Sequence, residues 1–145
     1  MNIDNLWNLE NFSIDDLNIH SRKGLMEIMK IKYSHIDKFE LWATMPVDIN
    51  VQPMGLLHGG AHCVIGESLG SVSSVMSIDR KQFYPAGTHL SATHVKSARV
   101  GIVTAKCKLL NLGNRNHQWQ TKVYDQDDNL LSIINLSVAI LRIKK

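Results

Sequence analysis

Only one stretch of this chain is long enough to form an extended helix, and it limits the possible folds more than any other feature. From about Gly59 to Ser77, apolar residues recur about every 100° of a helical wheel, which predicts one amphipathic helix. Its broad apolar face, which must pack against other apolar elements, consists of Ala61, Val64, Ile65, Ser68, Leu69, Val72, Val75 and Met76. A second strip has no bulky side chains, so another backbone can approach it closely; it consists of Gly66, Gly70, Ser73 and Ser77.

The remaining segments mostly predict strands. A short helix over residues 14–19, capped by Ser13, is followed by Gly24 as a break and by a strand hairpin over residues 26–47 with its turn near residues 35–38. After the long helix and a loop at residues 82–87, four further strands are predicted, at residues 88–96, 102–111, 118–125 and 130–142. Polar breaks between these four segments favour an antiparallel meander. The predicted class is α+β, with a hairpin, one long helix and a meander.

No repeat and no linker rich in Pro, Gly or Ser divides the chain. Residues 1–145 are therefore expected to form one domain, in which residues 1–24 are an N-terminal extension with the short helix. With 44% hydrophobic and 20% charged residues the composition is that of a globular protein, which excludes a disordered chain.

Charge and hydropathy exclude several classes of function. No run of about 18 apolar residues and no signal sequence is present, so we expect a soluble, cytoplasmic protein without a membrane partner. The net charge of +3 is spread along the chain, which argues against a nucleic-acid partner. Cys63 and Cys107 are far apart and are expected to be buried free thiols.

Glu67 is the residue that raises a question of function, because it is the one charged side chain in the apolar stretch from Leu56 to Ser74. Burying an unpaired carboxylate costs several kcal/mol, so such a residue either reaches solvent or is retained for a task. A structural glutamate and a catalytic one are both open at this point. Ser71 lies one helical turn after Glu67, so both side chains can contact one ligand.

The start of the long helix offers hydrogen-bond donors. Backbone N–H groups at His58, Gly59 and Gly60 are expected to be free there, and the positive end of the helix dipole favours a developing oxyanion. Glu67 would then act on an acyl carbon held at those donors, either as nucleophile or by taking a proton from water, which Ser71 could hold. His58 either orients the substrate carbonyl or stabilises its own loop.

Two other kinds of site were weighed. His58 and His62 have the spacing of metal ligands, with His89 and His94 further along, but His58 is expected to precede the helix and no set of four ligands is completed, so no metal is predicted. A Cys63 thiolate activated by a neighbouring histidine is a second reading, and a buried structural cysteine is much commoner.

The segment from Gln52 to Gly60, followed by Glu67, Ser68 and Ser71, resembles the signature of hotdog-fold acyl-CoA thioesterases. The stretches ATMPVD, GLLHGGA, THVKSAR and LGNRNHQWQ take part, and the likeness runs from about Glu40 to Leu141. It is greatest to the 4-hydroxybenzoyl-CoA thioesterase-like branch, which contains the bacterial 1,4-dihydroxy-2-naphthoyl-CoA hydrolases of menaquinone synthesis. The chain departs from the pattern at His62, Lys96 and Asn114.

This resemblance implies an antiparallel sheet wrapped around the long helix, and it implies roles for individual residues. Glu67 would be the catalytic carboxylate, the Gly59 amide would polarise the thioester carbonyl, Gln52 and His58 would position it, and Ser71 would place water. The residues that would line the substrate and coenzyme A groove are Gly87, His94, Val95, Lys96, Ser97, Asn111, Leu112, Gly113, Asn114, Arg115 and Asn116. Two subunits would build each site, in a dimer or a dimer of dimers.

The expected activity is hydrolysis of an aromatic acyl-CoA thioester to the free acid and coenzyme A, without a metal or redox cofactor. Coenzyme A phosphates could pair with the cations near the turns, Lys96, Arg99 and Arg115. Two alternatives stay open at the level of sequence: a hotdog dehydratase of 3-hydroxyacyl thioesters, and an acyl-CoA-binding module that has lost turnover.

Overall fold

The computed structural model describes residues 12–38 and 40–144. Its helices are α1 (Ile14–His20), α2 (Leu25–Ile28) and α3 (Gly59–Met76). Its strands are β1 (Lys32–Ile36), β2 (Glu40–Pro46), β3 (Phe83–His94), β4 (Ile102–Leu112), β5 (Asn116–Tyr124) and β6 (Leu130–Arg142). The N-terminal extension through Asn11, and Phe39 in the predicted hairpin, lie outside the described residues.

The strands form one antiparallel sheet in the order β1-β2-β4-β5-β6-β3. The predicted hairpin is confirmed as the pair of β1 and β2, but it begins at Lys32 and not at Met26, because residues 25–28 form α2. β4, β5 and β6 form a meander. The four-stranded meander is wrong, because β3 pairs with β6 and not with β4. Residues 99–101 lie between β3 and β4 in the sequence, but a break of this kind does not specify which strand each of them pairs with.

β3 also begins earlier than the sequence indicated, at Phe83 and not at Thr88, and it ends at His94 and not at Lys96. The residues read as a loop, 82–87, belong mostly to this strand, where Pro85 pairs with Ile140. Proline lacks the N–H of a sheet ladder but is tolerated on an edge strand, and β3 is at the edge of the sheet. Proline and glycine therefore gave a false loop signal.

α3 packs across the sheet, and its buried residues show how close the two elements are. A Cβ atom placed on Gly66 would lie 2.8 Å from Ile134 Cγ2, and one on Gly70 would lie 2.6 Å from Leu136 Cδ2. The strip of small residues thus faces β6 of the same chain. Half of the predicted face is buried, at Ala61, Ile65, Leu69 and Met76, whereas Val64, Ser68, Val72 and Val75 are only half-buried. The buried face is rotated toward the strip that contains Gly66, Gly70 and Ser73.

The result is the expected α+β architecture, an antiparallel sheet wrapped around one long helix, which is the hotdog fold. Its core contains Ile65 and Leu69 of α3 together with fully buried sheet residues such as Leu41, Val103 and Trp119. None of the helices within residues 12–38 and 40–144 combines the length and the apolar character that crossing a bilayer requires.

Candidate active site

The Glu67 carboxylate lies against the backbone of β3. A Cβ atom placed on Gly87 would overlap Glu67 Oε1, so only glycine leaves room for the carboxylate at this point of the strand. Ser71 Oγ donates a hydrogen bond of 3.2 Å to Glu67 Oε1, as expected from one turn of helix between them. Glu67 is half-buried and lines a cavity of about 370 Å³ whose other walls are Leu25, Cys63, Val64, Ser68 and Leu90. A carboxylate anchored in an apolar cavity can act as a base or a nucleophile.

The start of α3 provides one backbone donor. His58 is the N-cap, and its Nδ1 accepts a hydrogen bond of 2.8 Å from the Gly60 N–H. The expectation that His58 and Gly60 offer free donors is therefore wrong, since the cap uses the Gly60 N–H and the His58 N–H donates to the Asn50 carbonyl at 2.9 Å. Gly59 N–H donates to no partner within the described residues. Gly59 is thus the amide that can bind an oxyanion here, helped by the helix dipole.

The His94 ring lies against Gly59, and the His62 ring packs against His94. A Cβ atom on Gly59 would lie 2.9 Å from His94 Nε2, and His94 Nδ1 is 2.8 Å from Ser132 Oγ, which fixes the ring over the glycine. His62 packs against His94 with ring centroids 5.4 Å apart. Burial lowers the pKa of His62 to about 4, so its ring is neutral at pH 7. His62 Nδ1 is buried without a hydrogen-bond partner in the described part of the chain.

A second cavity, of about 320 Å³, opens beside Gly59. The sequence-predicted residues in its wall are Gln52, Gly59, His94, Val95, Lys96 and Ser97. Gln52 is held in the turn before α3, because its Oε1 accepts from Met54 N–H at 2.9 Å and its backbone pairs with Leu56. The structure thus brings Gln52, Gly59 and the segment after β3 to one end of the fold.

The two halves of the predicted site are far apart within one chain. Gly59 and Glu67 are eight residues apart in the same helix (67 − 59), which is about 12 Å at 1.5 Å per residue. One thioester carbonyl cannot contact both groups of a single chain, because reacting atoms approach to about 3 Å. Glu67 also faces Gly87 on the edge strand, where a second chain could approach.

The residues predicted to bind coenzyme A also fall into two groups that lie apart within one chain. His94 to Ser97 lie at the Gly59 end, whereas residues 111–116 form the turn between β4 and β5. Along β6, the partner of His94 is Ser132 and the partner of Asn116 is Ala139, seven residues further on (139 − 132), or about 23 Å. The turn therefore lies toward the Glu67 and Gly87 end of the sheet, because Gly87 pairs with Val138 beside Ala139.

Comparison with known proteins agrees with the fold. A family model described as the thioesterase superfamily matches residues 54–132. The chain belongs to this superfamily. It is 39% identical over 130 residues to the 1,4-dihydroxy-2-naphthoyl-CoA hydrolase of Escherichia coli, across 89% of this chain and 95% of that protein.

Two further relatives cover nearly the whole thioesterase chain. The proofreading thioesterase EntH of Cronobacter turicensis is 34% identical, across 94% of this chain and 98% of that protein. The crystal structure of a mutant of the Pseudomonas aeruginosa thioesterase PA1618 superposes with a TM-score of 0.92 at 33% identity, across 95% of this chain and 99% of that one. The protein is therefore a thioester hydrolase, which decides against the dehydratase and against a module without turnover.

The geometry of the thioesterase supports neither the cysteine nucleophile nor the metal site. Cys63 is half-buried and not buried as expected, and it lines the Glu67 cavity, but its partial burial raises the pKa of its thiol, which disfavours a thiolate. His58 has an extended backbone, with φ −68° and ψ 133°, so it does not share a helical face with His62. Within residues 12–38 and 40–144, no group of three or more His, Cys, Asp or Glu side chains is arranged to hold a metal ion.

Sequence reasoning missed several residues that line these cavities, among them His62 and Leu25. By sequence alone, His62 is a candidate metal ligand and a departure from the family pattern, with no place in the predicted thioesterase site, and Leu25 lies between the predicted first helix and the hairpin. Gly24 was the available signal for Leu25, because glycine marks a break after which a new element can begin. The four residues of α2 are too few to show a helical period.

Proposed function

We propose that this protein hydrolyses acyl-CoA thioesters with an aromatic acyl group, and that Glu67 is the residue that acts on the thioester carbon. The observation that carries the proposal is the position of the Glu67 carboxylate, held between Ser71 and the Gly87 backbone at the wall of an apolar cavity. The aromatic substrate is supported by the E. coli relative, whose name gives a naphthoyl thioester. No metal or redox cofactor is required for this chemistry.

In the proposed reaction, the Gly59 amide donates to the thioester oxygen while negative charge develops on it. Glu67 either takes a proton from a water molecule that Ser71 orients, or attacks the carbonyl carbon itself to form an anhydride that water then cleaves. In both routes the carbon–sulfur bond breaks, coenzyme A leaves as the thiol, and the acyl group leaves as the carboxylic acid.

We further propose that each site is built by two copies of the chain. The separation of about 12 Å between Gly59 and Glu67 along one helix supports this, because one carbonyl must contact both. The Glu67 of one copy would meet the Gly59 of the other along the edge strand β3. The same arrangement would bring the turn at residues 111–116 toward the partner's segment at residues 94–97, where Lys96 and Arg115 could pair with coenzyme A phosphates.

The first test measures thiol release from a panel of acyl-CoA thioesters, from benzoyl and naphthoyl to long aliphatic chains. Glu67→Gln and Glu67→Ala should lower kcat by at least about 100-fold with unchanged melting temperature. Glu27→Gln is the matched control, since Glu27 is an exposed acid on α2. Near-normal turnover of Glu67→Gln would exclude Glu67 as the catalytic group.

The second test mixes two variants, Glu67→Ala and Gly59→Pro, by co-expression with different tags. Each should be inactive alone, because proline removes the Gly59 N–H and is tolerated at the first position of a helix. If sites are shared between copies, a mixed dimer has one intact site, and a random mixture recovers about one quarter of the wild-type activity. If each chain carries a complete site, the mixture stays inactive and the shared site is wrong.

A further inference from the structure

The short helix α2 brings an apolar side chain to the cavity that contains Glu67. The cavity has a volume of about 370 Å³, and Leu25 and Leu90 line it together with Cys63, Val64, Glu67 and Ser68 of α3. Leu25 comes from outside the family match, which begins at residue 54. The residue therefore forms a wall of the cavity that the α3 and β3 residues do not supply.

Leu25 is 53% exposed although it lines a cavity, so much of its apolar surface is free to contact a ligand. The next exposed apolar residue of α2, Ile28, is 73% exposed and does not line the cavity. Both side chains are apolar, but only Leu25 lines the cavity. Ile28 is therefore a matched control for substitutions of Leu25.

Hydrogen bonds at the C-terminal end of α2 hold this helix in place. Met29 is buried, and its carbonyl accepts a hydrogen bond of 2.9 Å from Asn50 Nδ2, which also donates to the Pro46 carbonyl at 2.8 Å. The backbone oxygen of Asn50 accepts from His58 N–H at 2.9 Å. One buried asparagine therefore ties the end of α2 to the N-cap of α3, so the Leu25 wall has a defined position relative to the catalytic helix.

We propose that Leu25 is a specificity-determining residue, whose side chain closes the acyl pocket beside Glu67 and limits the size of the acyl group. This inference rests on the proposed function of Glu67, because the cavity is an acyl pocket only if that carboxylate acts on the thioester carbon. At about 370 Å³ the cavity is near the lower end of the range of ligand pockets, so one side chain in its wall changes the available space substantially.

Leu25→Ala removes three carbon atoms from the wall, and Leu25→Trp adds bulk to it. One methylene in an apolar pocket changes kcat/KM by about tenfold or more. Leu25→Ala should therefore raise the ratio of kcat/KM for decanoyl-CoA over benzoyl-CoA by at least about tenfold. Leu25→Trp should lower kcat/KM for naphthoyl-CoA and spare acetyl-CoA or butyryl-CoA.

The experiment compares wild type, Leu25→Ala, Leu25→Trp and the control Ile28→Ala over this panel, with the melting temperature of each. Ile28→Ala should keep the wild-type ratio. If the wild type is active but Leu25→Ala keeps its ratio, or if Ile28→Ala shifts the ratio equally, the assignment to Leu25 is overturned. A wild type that hydrolyses none of the thioesters would instead overturn the proposed function. Should Leu25→Trp not fold, Leu25→Ala and Leu25→Met still decide the question.

Discussion

A single methyl group at Gly87 should disable the proposed catalytic carboxylate without unfolding the protein. In Gly87→Ala, the new Cβ atom would overlap Glu67 Oε1 and lie 3.1 Å from Cδ and 3.4 Å from Oε2. Since non-bonded heavy atoms are most stable about 3.5 Å apart, the carboxylate has to withdraw by roughly 1 Å. The backbone itself accepts alanine, because Gly87 is exposed and is not among the glycines with positive φ.

The magnitude follows from this displacement. A misplacement of about 1 Å in a catalytic arrangement lowers the rate by about 100-fold, which corresponds to about 2.7 kcal/mol in the activation free energy. The free energy of unfolding should change by less than about 1 kcal/mol, because the atom that must move is the end of a half-buried side chain.

The assay is kcat/KM from thiol release, paired with thermal unfolding. Ser91→Ala, at another exposed position of β3, is the control and should behave as wild type. In the Glu67→Ala background, Gly87→Ala should add no further loss, because the group it displaces is absent. Wild-type kcat/KM in Gly87→Ala, or a second full loss in the double variant, would refute the reasoning.

Three other perturbations test the fold. Gly70→Ala places a Cβ atom 2.6 Å from Leu136 Cδ2. The free energy of unfolding measured in urea should therefore fall by about 1–3 kcal/mol. A stability equal to that of the wild type would contradict the close packing of α3 on β6. Asn18→Ala removes the side-chain bonds of 2.9 Å and 2.8 Å to the Tyr33 backbone, and should speed hydrogen exchange in β1, whereas unchanged exchange would contradict this role. The pKa of His62 is lowered from 6.5 to about 4 in the folded protein. The neutral ring therefore contributes fully to the free energy of unfolding above pH 6.5, and this free energy falls by up to about 3 kcal/mol as the pH drops toward 4. In urea titrations at several pH values, His62→Gln should lose less unfolding free energy between pH 6.5 and pH 4 than the wild type. An unchanged dependence on pH would exclude His62 as the source of the loss.

The elements that the sequence predicted well are those with a long internal pattern. α3 was expected over residues 59–77 and runs from Gly59 to Met76, and β6 was expected and found over residues 130–142. β3 and α2 were not predicted correctly, because Pro85 and Gly87 gave loop signals within an edge strand and the single turn of α2 shows no period.

In the candidate site, the sequence identified the types of the functional residues but not all of their hydrogen-bond and packing partners. Glu67 and Ser71 were paired correctly from helical spacing, and the bond between them is present. Whether Gly60 kept its donor depended on the rotamer of His58, which accepts that N–H. The position of Gly87 beneath Glu67 depended on which strand β3 joins.

The long helix, most of the strand segments and the order of the chemical groups at residues 58–60 and 67 can be read from the sequence, because helical period, turn residues and capping act over a few neighbouring residues. Three features emerge only when the chain is folded: β3 pairs with β6, Gly87 lies against Glu67, and Leu25 lines the cavity. These contacts join residues far apart in the chain, and they depend on how closely the glycines of α3 let the helix approach the sheet.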